Sequence, residues 1–210
     1  LSLVARNAER HADNPEFRAD MIATLQNSVG KMNTLIRRLT GYARATGEGL
    51  RAFDAERVVR QVIAEKAQRH PVIVSSAQRL VLMADAGQLE QVLSHLIQNA
   101  IDASAPANPV FVSMSRDGLN GVIEIVDHGS GMSAEFVRAK LFKPFISSKA
   151  DGFGIGAYEA RLLVEAMHGR IEVESREGEG SRFTIHLPLA TRIDADEPGP
   201  PSLQLAAKVS

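Results

Sequence analysis

The chain has 210 residues, of which 44% are hydrophobic, and its 24 Lys and Arg nearly balance its 25 Asp and Glu, for a formal net charge of −1. Such nearly equal numbers of basic and acidic residues give no support for binding to nucleic acid, which depends on many cationic contacts to phosphate. The absence of cysteine excludes disulfides, thiolate metal sites and cysteine nucleophiles. No apolar run approaches the ~20 residues that a membrane-spanning helix needs. The first residues are typical of a helix interior rather than of a signal peptide, so we expect a fragment of a longer protein.

The first predicted unit, residues 1–45, is an antiparallel helical hairpin. A helix-compatible stretch at 1–12 is interrupted at Asp13-Asn14-Pro15, because proline blocks the continuation of a helix. Apolar residues then recur in steps of three and four from Phe17 to Tyr42, which is a stripe along one helix face. Such a stripe needs a partner, so we predict a dimeric four-helix bundle made with a second copy. A monomeric hairpin packed on the rest of the chain is the alternative.

The second predicted unit, residues 54–190, mixes helices and strands and follows a glycine-containing linker at 46–53. Asp54 is the expected N-cap of its first helix. The order of elements predicts an α+β fold, a two-layer α/β sandwich with helices on one face of a mixed sheet. Residues 191–210 contain three prolines and no periodicity, so we predict a flexible tail. Helices are predicted at 57–69, 86–103, 136–141 and 157–167, and strands at 72–74, 80–83, 110–115, 121–126, 170–175 and 181–187.

Two patterns in this unit suggest a ligand site. Asn99 lies in the long predicted helix among apolar residues, and a carboxamide oxygen there can hold Mg²⁺ beside phosphate oxygens. Taken alone, a helical Asn is more often a structural hydrogen-bonder. Asp127 follows a strand and precedes Gly129 and Gly131; its carboxylate can accept a hydrogen bond from an exocyclic amine, and the glycines let backbone approach a flat base. An ordinary turn is the alternative for this second pattern.

Two further patterns follow along the chain. Lys149 comes after Phe142 and Phe145, and its flexible ammonium could reach terminal phosphates, although a lysine in a loop usually faces solvent. The glycine series 152–156 opens the predicted helix at 157–167, where exposed backbone N–H groups form an anion site. This series is neither a Rossmann fingerprint nor a P-loop, because its third glycine spacing is wrong and no Gly-Lys-Ser/Thr ends it.

Together with a closing glycine pattern at 178–183, these motifs resemble, in order, the N, G1, F, G2 and G3 boxes of the histidine-kinase catalytic domain. That domain belongs to the GHKL (Bergerat-fold) superfamily, and the likeness covers roughly residues 50–190. The hairpin resembles the family's dimerisation and histidine-phosphotransfer unit. Strings at 6–11 and 154–159 are also similar to kinases of exosortase/PEP-CTERM exopolysaccharide systems.

The resemblance implies the ATP-binding catalytic core of a two-component sensor histidine kinase, with ATP and Mg²⁺ as cofactors. Asn99 would coordinate Mg²⁺, Asp127 would accept from the adenine amino group, and residues 132–151 would form a short mobile lid. Asn99 and Lys149 are the predicted catalytic residues. The predicted nucleotide-binding set is Asn99, Asp102, Ala103, Asp127, Gly129, Gly131, Met132, Phe142, Lys149, Gly152, Phe153, Gly154, Ile155, Gly156 and Ser181.

Two departures from the family pattern refine this expectation. Hydrolytic members carry a Glu one helical turn before the Mg²⁺-binding Asn, as general base for water, whereas His95 stands there in this sequence. Transfer to a protein side chain is therefore favoured over ATP hydrolysis, and a supporting polar role for His95 over that of a base. His11 lacks a following acidic residue, so we predict that the accepting histidine lies upstream of Leu1.

The expected partners are a second copy, through the hairpin, and the receiver domain of a response regulator, with no nucleic acid. We expect this part of the protein in the cytoplasm, and a parent that meets the inner membrane only through upstream segments. The alternatives to the kinase are a GHKL-type ATPase and a nucleotide-binding dimerisation scaffold.

Overall fold

A computed structural model describes residues 14–26, 49–146 and 154–190 of the chain. Within the described residues, the first helix, α1, includes residues 15–26. The side-chain oxygen of Asn14 caps it by accepting a hydrogen bond of 2.9 Å from the backbone N–H of Glu16. Pro15 therefore starts the helix, at a position where no backbone donor is needed. The rest of the predicted hairpin at 1–45, and the tail at 191–210, lie outside the described residues, so the dimeric bundle stays a prediction.

The later elements form one α+β unit, as the sequence predicts. None of the helices within the described ranges is both long enough and apolar enough to cross a membrane. In chain order the elements are β1 (Arg51–Asp54), α2 (Ala55–Lys66), β2 (Val72–Ala77), β3 (Val81–Ala84), α3 (Ala86–Ala103), β4 (Val110–Asp117), β5 (Asn120–Asp127), α4 (Ala134–Ala139), α5 (Gly156–Ala166), β6 (Arg170–Arg176) and β7 (Gly180–Pro188).

Five strands form a mixed sheet in the order β2-β4-β5-β7-β6. β2 runs parallel to β4, and the other neighbours are antiparallel. β4 and β5 are joined at Gly118, whose φ of 57° suits the tight turn that the Asp-Gly pair predicts. The remaining strands, β1 and β3, pair with each other in a separate two-stranded sheet.

Alternate residues of the central strands point to one face of the sheet, where α2, α3 and α5 cover them. Leu93 and Leu96 of α3 are fully buried there. The opposite face carries charged side chains, and Arg182 Nη1 lies 3.3 Å from Glu124 Oε1 on it. The predicted two-layer sandwich is confirmed. The sheet residues of the core are Val110, Val112, Met114, Ile123, Ile125, Phe183, Ile185 and Leu187.

Capping side chains explain where the helices begin. Asp54 accepts a hydrogen bond of 3.0 Å from Glu56 N and starts α2, as predicted. Ser133 accepts from Phe136 N at 3.2 Å, so α4 begins at residue 134 rather than at the predicted residue 136. The strand β1 corrects the predicted linker at 46–53, because Arg51–Asp54 pairs with β3. Four residues of mixed polarity carry no periodicity from which that strand could be predicted.

Candidate functional site

The long helix α3 carries one stripe of residues that faces the candidate site. Gln91, His95, Asn99 and Ala103 follow one another at intervals of four, so their side chains lie along one side of the helix. The stripe extends over about 18 Å of helix. Its first half contacts α5 and its last residue contacts the turn after β5. Asn99 lies between these two contacts and is half-buried.

The first half of the stripe is fastened to the first turn of α5 by Glu159. This side chain is only 1% exposed, and its Oε1 accepts a hydrogen bond from Gln91 Nε2. His95 Nε2 lies 3.1 Å from the other carboxylate oxygen. The imidazole also lies close to the start of α5, since a Cβ added at Gly156 would lie 3.5 Å from His95 Nδ1. Two successive turns of α3 are thus held against the helix that the glycine series opens.

The end of the stripe meets the turn that follows β5. Ser130 N donates a hydrogen bond of 3.1 Å to the carbonyl oxygen of Ala103. Gly129 passes so close that an added Cβ would lie 2.2 Å from the same oxygen. Only glycine permits this approach of two backbones. The turn is therefore anchored to α3 one helical turn beyond Asn99.

The same turn is held from its other side by the β6–β7 hairpin. Gly131 has a φ of 62°, and an added Cβ would lie 1.8 Å from the carbonyl oxygen of Arg176. Met132 N donates a hydrogen bond of 2.8 Å to Ser175 Oγ. The positive φ and the close contact together require glycine at this position.

Asp127 ends β5 at the start of this turn and is 3% exposed. Burial raises the pKa of its carboxyl above the ordinary value of 3.8, while hydrogen bonds from Gly129 and Ser181 partly offset that rise. The bond from Gly129 N measures 2.9 Å. Ser181 also lies 3.0 Å from Ser175 through their hydroxyl oxygens. The result is a fixed, buried acceptor of the kind that can recognise an amine donor.

The segments on either side of residues 147–153 come together in front of α5. Phe145 N donates a hydrogen bond of 2.9 Å to Gly154 O. The ring of Phe142 lies beneath the guanidinium of Arg161 on α5, with 5.3 Å between the guanidinium carbon and the ring centroid. Ile155 is buried just before the helix starts. The predicted residues Lys149, Gly152 and Phe153 lie outside the described residues, as does part of the predicted lid.

A groove of about 620 Å³ opens beside Asp127, between α4 and the β6–β7 hairpin. Asp127, Gly180 and Ser181 line one side of it, and Val137 and Arg138 of α4 line the other. It borders only the Asp127 end of the candidate site. Asn99 and the described glycines 154 and 156 are not among its walls, so a single cavity shared by all three parts of the site stays a prediction.

The family to which the fold belongs is decided by comparison with known proteins. Residues 84–191, just over half of the chain, match the model of the family described as histidine kinase-, DNA gyrase B-, and HSP90-like ATPase. The chain belongs to this family. The matched segment contains α3, the turn after β5, α5 and the closing hairpin, which are the elements that form the candidate site.

Named relatives fall in the sensor histidine kinase branch of this ATPase family. The C4-dicarboxylate transport sensor protein DctS of Rhodobacter capsulatus is 31% identical over 191 residues, which are 84% of this chain and 29% of DctS. The sensor histidine kinase ZraS of Escherichia coli O157:H7 is 31% identical over 171 residues, 78% of this chain and 37% of ZraS. The chain thus spans about a third of the length of these relatives.

Among solved structures, full-length ShkA in complex with AMPPNP is 27% identical, with a TM-score of 0.61 over 85% of this chain and 40% of that chain. Together with the relatives, it identifies the described α+β unit as the catalytic domain of a sensor histidine kinase, as the sequence predicts.

The structure of this kinase domain brings several predicted site residues close together. Asn99, Ala103, Gly129 and Asp127 form one connected set through the end of α3. Asp102 lies on the exposed side of that end and accepts a hydrogen bond of 2.8 Å from Gln98. The binding roles assigned to these residues stay predictions.

Sequence reasoning missed Glu159 and Gln91, the residues that join α3 to α5. One signal was present in the sequence. Glu159 stands one helical turn before Leu163, on the apolar side of its predicted helix, where a carboxylate needs a partner. The identity of that partner could not be predicted, because Gln91 and Glu159 are 68 residues apart.

Proposed function

We propose that this domain binds Mg²⁺-ATP and transfers the γ-phosphoryl group to a histidine upstream of Leu1, from which it passes to an aspartate of a response regulator. The observation that supports this most is the stripe on α3. It places Asn99 between two anchored elements, the turn that carries Asp127 and the glycine-opened helix α5. A nucleotide lying along that stripe would meet an acceptor for its base at one end and backbone donors for its phosphates at the other.

The residues present fit this nucleotide. Asp127 is a fixed buried acceptor for the adenine amino group, and the close packing of Gly129 and Gly131 leaves backbone beside the base. Asn99 offers one amide oxygen, a ligand type that Mg²⁺ accepts together with phosphate oxygens. The phosphates would lie at the start of α5. The remaining proposed contacts are Asp102, Ala103, Met132, Phe142, Lys149, Gly152, Phe153, Gly154, Ile155, Gly156 and Ser181.

The chemistry assigned to this chain is mainly the positioning of its substrate. Phosphoryl transfer requires the attacking and leaving oxygens to be in line and the charge on the phosphates to be compensated. The backbone N–H groups at the start of α5 and the ammonium of Lys149 would supply part of that compensation. Mg²⁺ would neutralise further charge on the phosphate oxygens when bound. The complex of ShkA with AMPPNP supports a nucleotide as ligand for a fold of this kind.

A GHKL-type ATPase is less well supported, because His95 stands where hydrolytic members carry the Glu that activates water. The Glu159 carboxylate lies behind the imidazole and is 1% exposed, so water has little access to it. The match to the sensor protein DctS and the sensor histidine kinase ZraS over most of this chain disfavours a nucleotide-binding scaffold. Kinases of this family generally act as dimers with response regulators. We propose the same partners here, with dimerisation through the hairpin at 1–45 and with the parent anchored in the inner membrane by upstream segments.

Autophosphorylation tests the kinase proposal. A version of the chain extended upstream, incubated with Mg²⁺ and ATP labelled at the γ-phosphate, should acquire label on a histidine, recognised as acid-labile and alkali-stable. The 210-residue chain should bind ATP without acquiring that label. An extended protein that binds ATP with Mg²⁺ but never labels a histidine would contradict the proposal, and substantial steady-state ATP turnover would favour the ATPase.

Nucleotide selectivity tests the placement of the base. Asp127→Asn replaces an acceptor oxygen by a group that can present a donor to the adenine amine, which costs about 1–3 kcal/mol for an unsatisfied buried pair. We expect weaker ATP binding and a smaller preference for ATP over GTP, measured by calorimetric titration. A variant that binds both nucleotides as the parent does would show that the base lies elsewhere.

A further inference from the structure

We propose that Glu159 is a positioning residue that sets the distance between Asn99 and the glycine-opened start of α5, acting through His95 and Gln91. The inference rests on the proposed function, in which Asn99 binds Mg²⁺ and the start of α5 binds the phosphates. The contact of Glu159 with His95 and Gln91 would hold these two parts of the site at the correct distance. Glu159 itself touches neither reactant.

The geometry behind the proposal is a buried carboxylate that spans two helices. On α3, Gln91 donates a hydrogen bond to Glu159 Oε1. His95 Nε2 lies 3.1 Å from Oε2, at ion-pair distance but without the geometry of a hydrogen bond. The carboxylate is 1% exposed, whereas the imidazole side chain is 25% exposed. Both partners lie on the stripe that continues to Asn99, so the carboxylate fixes α3 both along its axis and in its rotation.

The imidazole transmits this constraint to the two functional elements. His95 lies one helical turn before Asn99, so a rotation of α3 that moves one side chain moves the other. The same ring lies near Gly156, with its Nδ1 at 3.5 Å from the position of an added Cβ. The His95 side chain therefore lies beside the start of α5 and one helical turn before the predicted Mg²⁺ ligand.

The chemistry of the contact also favours a positioning role over simple stabilisation. A buried carboxylate loses its hydration and recovers that free energy only if its partners are well placed. Aliphatic side chains such as Leu96 and Leu163, which belong to the same core, could join two helices without this cost. Charged and polar groups specify one geometry where aliphatic contacts tolerate sliding, because a displaced hydrogen bond leaves a buried group unsatisfied.

The test uses Glu159→Gln in the full chain, with Glu165→Gln as matched control. Glu165 lies on the same helix but is 48% exposed and pairs with Arg161. We expect Glu159→Gln to weaken Mg²⁺-ATP binding about tenfold, the loss expected for one charge-assisted contact. Adenosine, which has no phosphates, should bind as it does to the parent. The control should match the parent for both ligands. Chemical denaturation confirms that each variant is folded under the conditions of the titration.

A double-mutant cycle provides the second measurement, and His95→Asn tests the same contact without changing Glu159. If Glu159 acts on Asn99, adding Glu159→Gln to Asn99→Ala should cause little further loss of Mg²⁺-ATP affinity. His95→Asn should reproduce the loss for ATP and spare adenosine. Equal losses for ATP and adenosine, full additivity with Asn99→Ala, or unchanged binding by Glu159→Gln would each overturn the positioning role. A parent chain that binds neither ligand would overturn the proposed function and, with it, this inference.

Discussion

Gly131 and Gly118 offer a matched pair that separates backbone conformation from close packing at the candidate site. Both have positive φ, 62° and 57°. A Cβ at Gly131 would lie 1.8 Å from the carbonyl oxygen of Arg176, whereas a Cβ at Gly118 meets nothing within 4 Å. Gly118→Ala should therefore cost only the left-handed conformation of an alanine, about 1–2 kcal/mol. Gly131→Ala should cost about 1–3 kcal/mol more, because backbone must move to admit the methyl group.

Urea denaturation of the two variants measures this difference, and thermal unfolding should show it as roughly 2–4 °C for each kcal/mol in a chain of this size. ATP affinity, determined where both variants are folded, should fall for Gly131→Ala alone, since the displaced turn also carries Asp127. Equal losses of stability in the two variants would refute the close approach of the turn to the β6–β7 hairpin. Equal ATP affinities of the two variants would show that the turn does not take part in nucleotide binding.

Two further predictions concern a helix cap and a buried carboxyl. Asp54→Ala removes the N-cap of α2, so the free energy of unfolding should fall by about 1 kcal/mol in urea titrations, with ATP affinity unchanged. A lower ATP affinity in the folded variant would contradict a purely structural role for this cap. The raised pKa of Asp127 means that its native carboxyl binds a proton more tightly than the unfolded one. Its contribution to stability is therefore full below the unfolded pKa and is lost as pH rises towards the folded pKa. From pH 4 upward, the parent should lose stability relative to Asp127→Asn, and the opposite slope in urea titrations would contradict the burial of this carboxyl.

Much of the fold could be predicted because its signals are local. The apolar period of α3 predicted its bounds, Ala86–Ala103, and Asp54 marked the start of α2 through a bond to the second residue after it. The strand β1 was missed because its order comes from pairing with β3, about thirty residues away in sequence, rather than from its own four residues.

The candidate site shows the same division between local and distant signals. The turn from Asp127 to Gly131 could be recognised because the acidic residue and the glycines that it needs are neighbours in the sequence. The contact of Gly129 with Ala103 and the pairing of His95 with Glu159 could not, since each joins separate elements. Contacts between side chains that are far apart in the sequence produce no local pattern of spacing, so they cannot be predicted from a single sequence.

The measurement that tests the account most directly is the effect of Mg²⁺ on ATP binding to the parent and to Asn99→Ala. Alanine is a better helix former than asparagine, so α3 should remain intact, and Glu90→Ala, on the side of α3 that faces Gln61, is the control. We predict that Mg²⁺ increases the ATP affinity of the parent and of the control about tenfold or more, the equivalent of 1.4 kcal/mol. The increase should vanish in Asn99→Ala while binding without Mg²⁺ is unchanged. The same Mg²⁺ dependence in all three proteins would contradict the placement of the nucleotide along the α3 stripe.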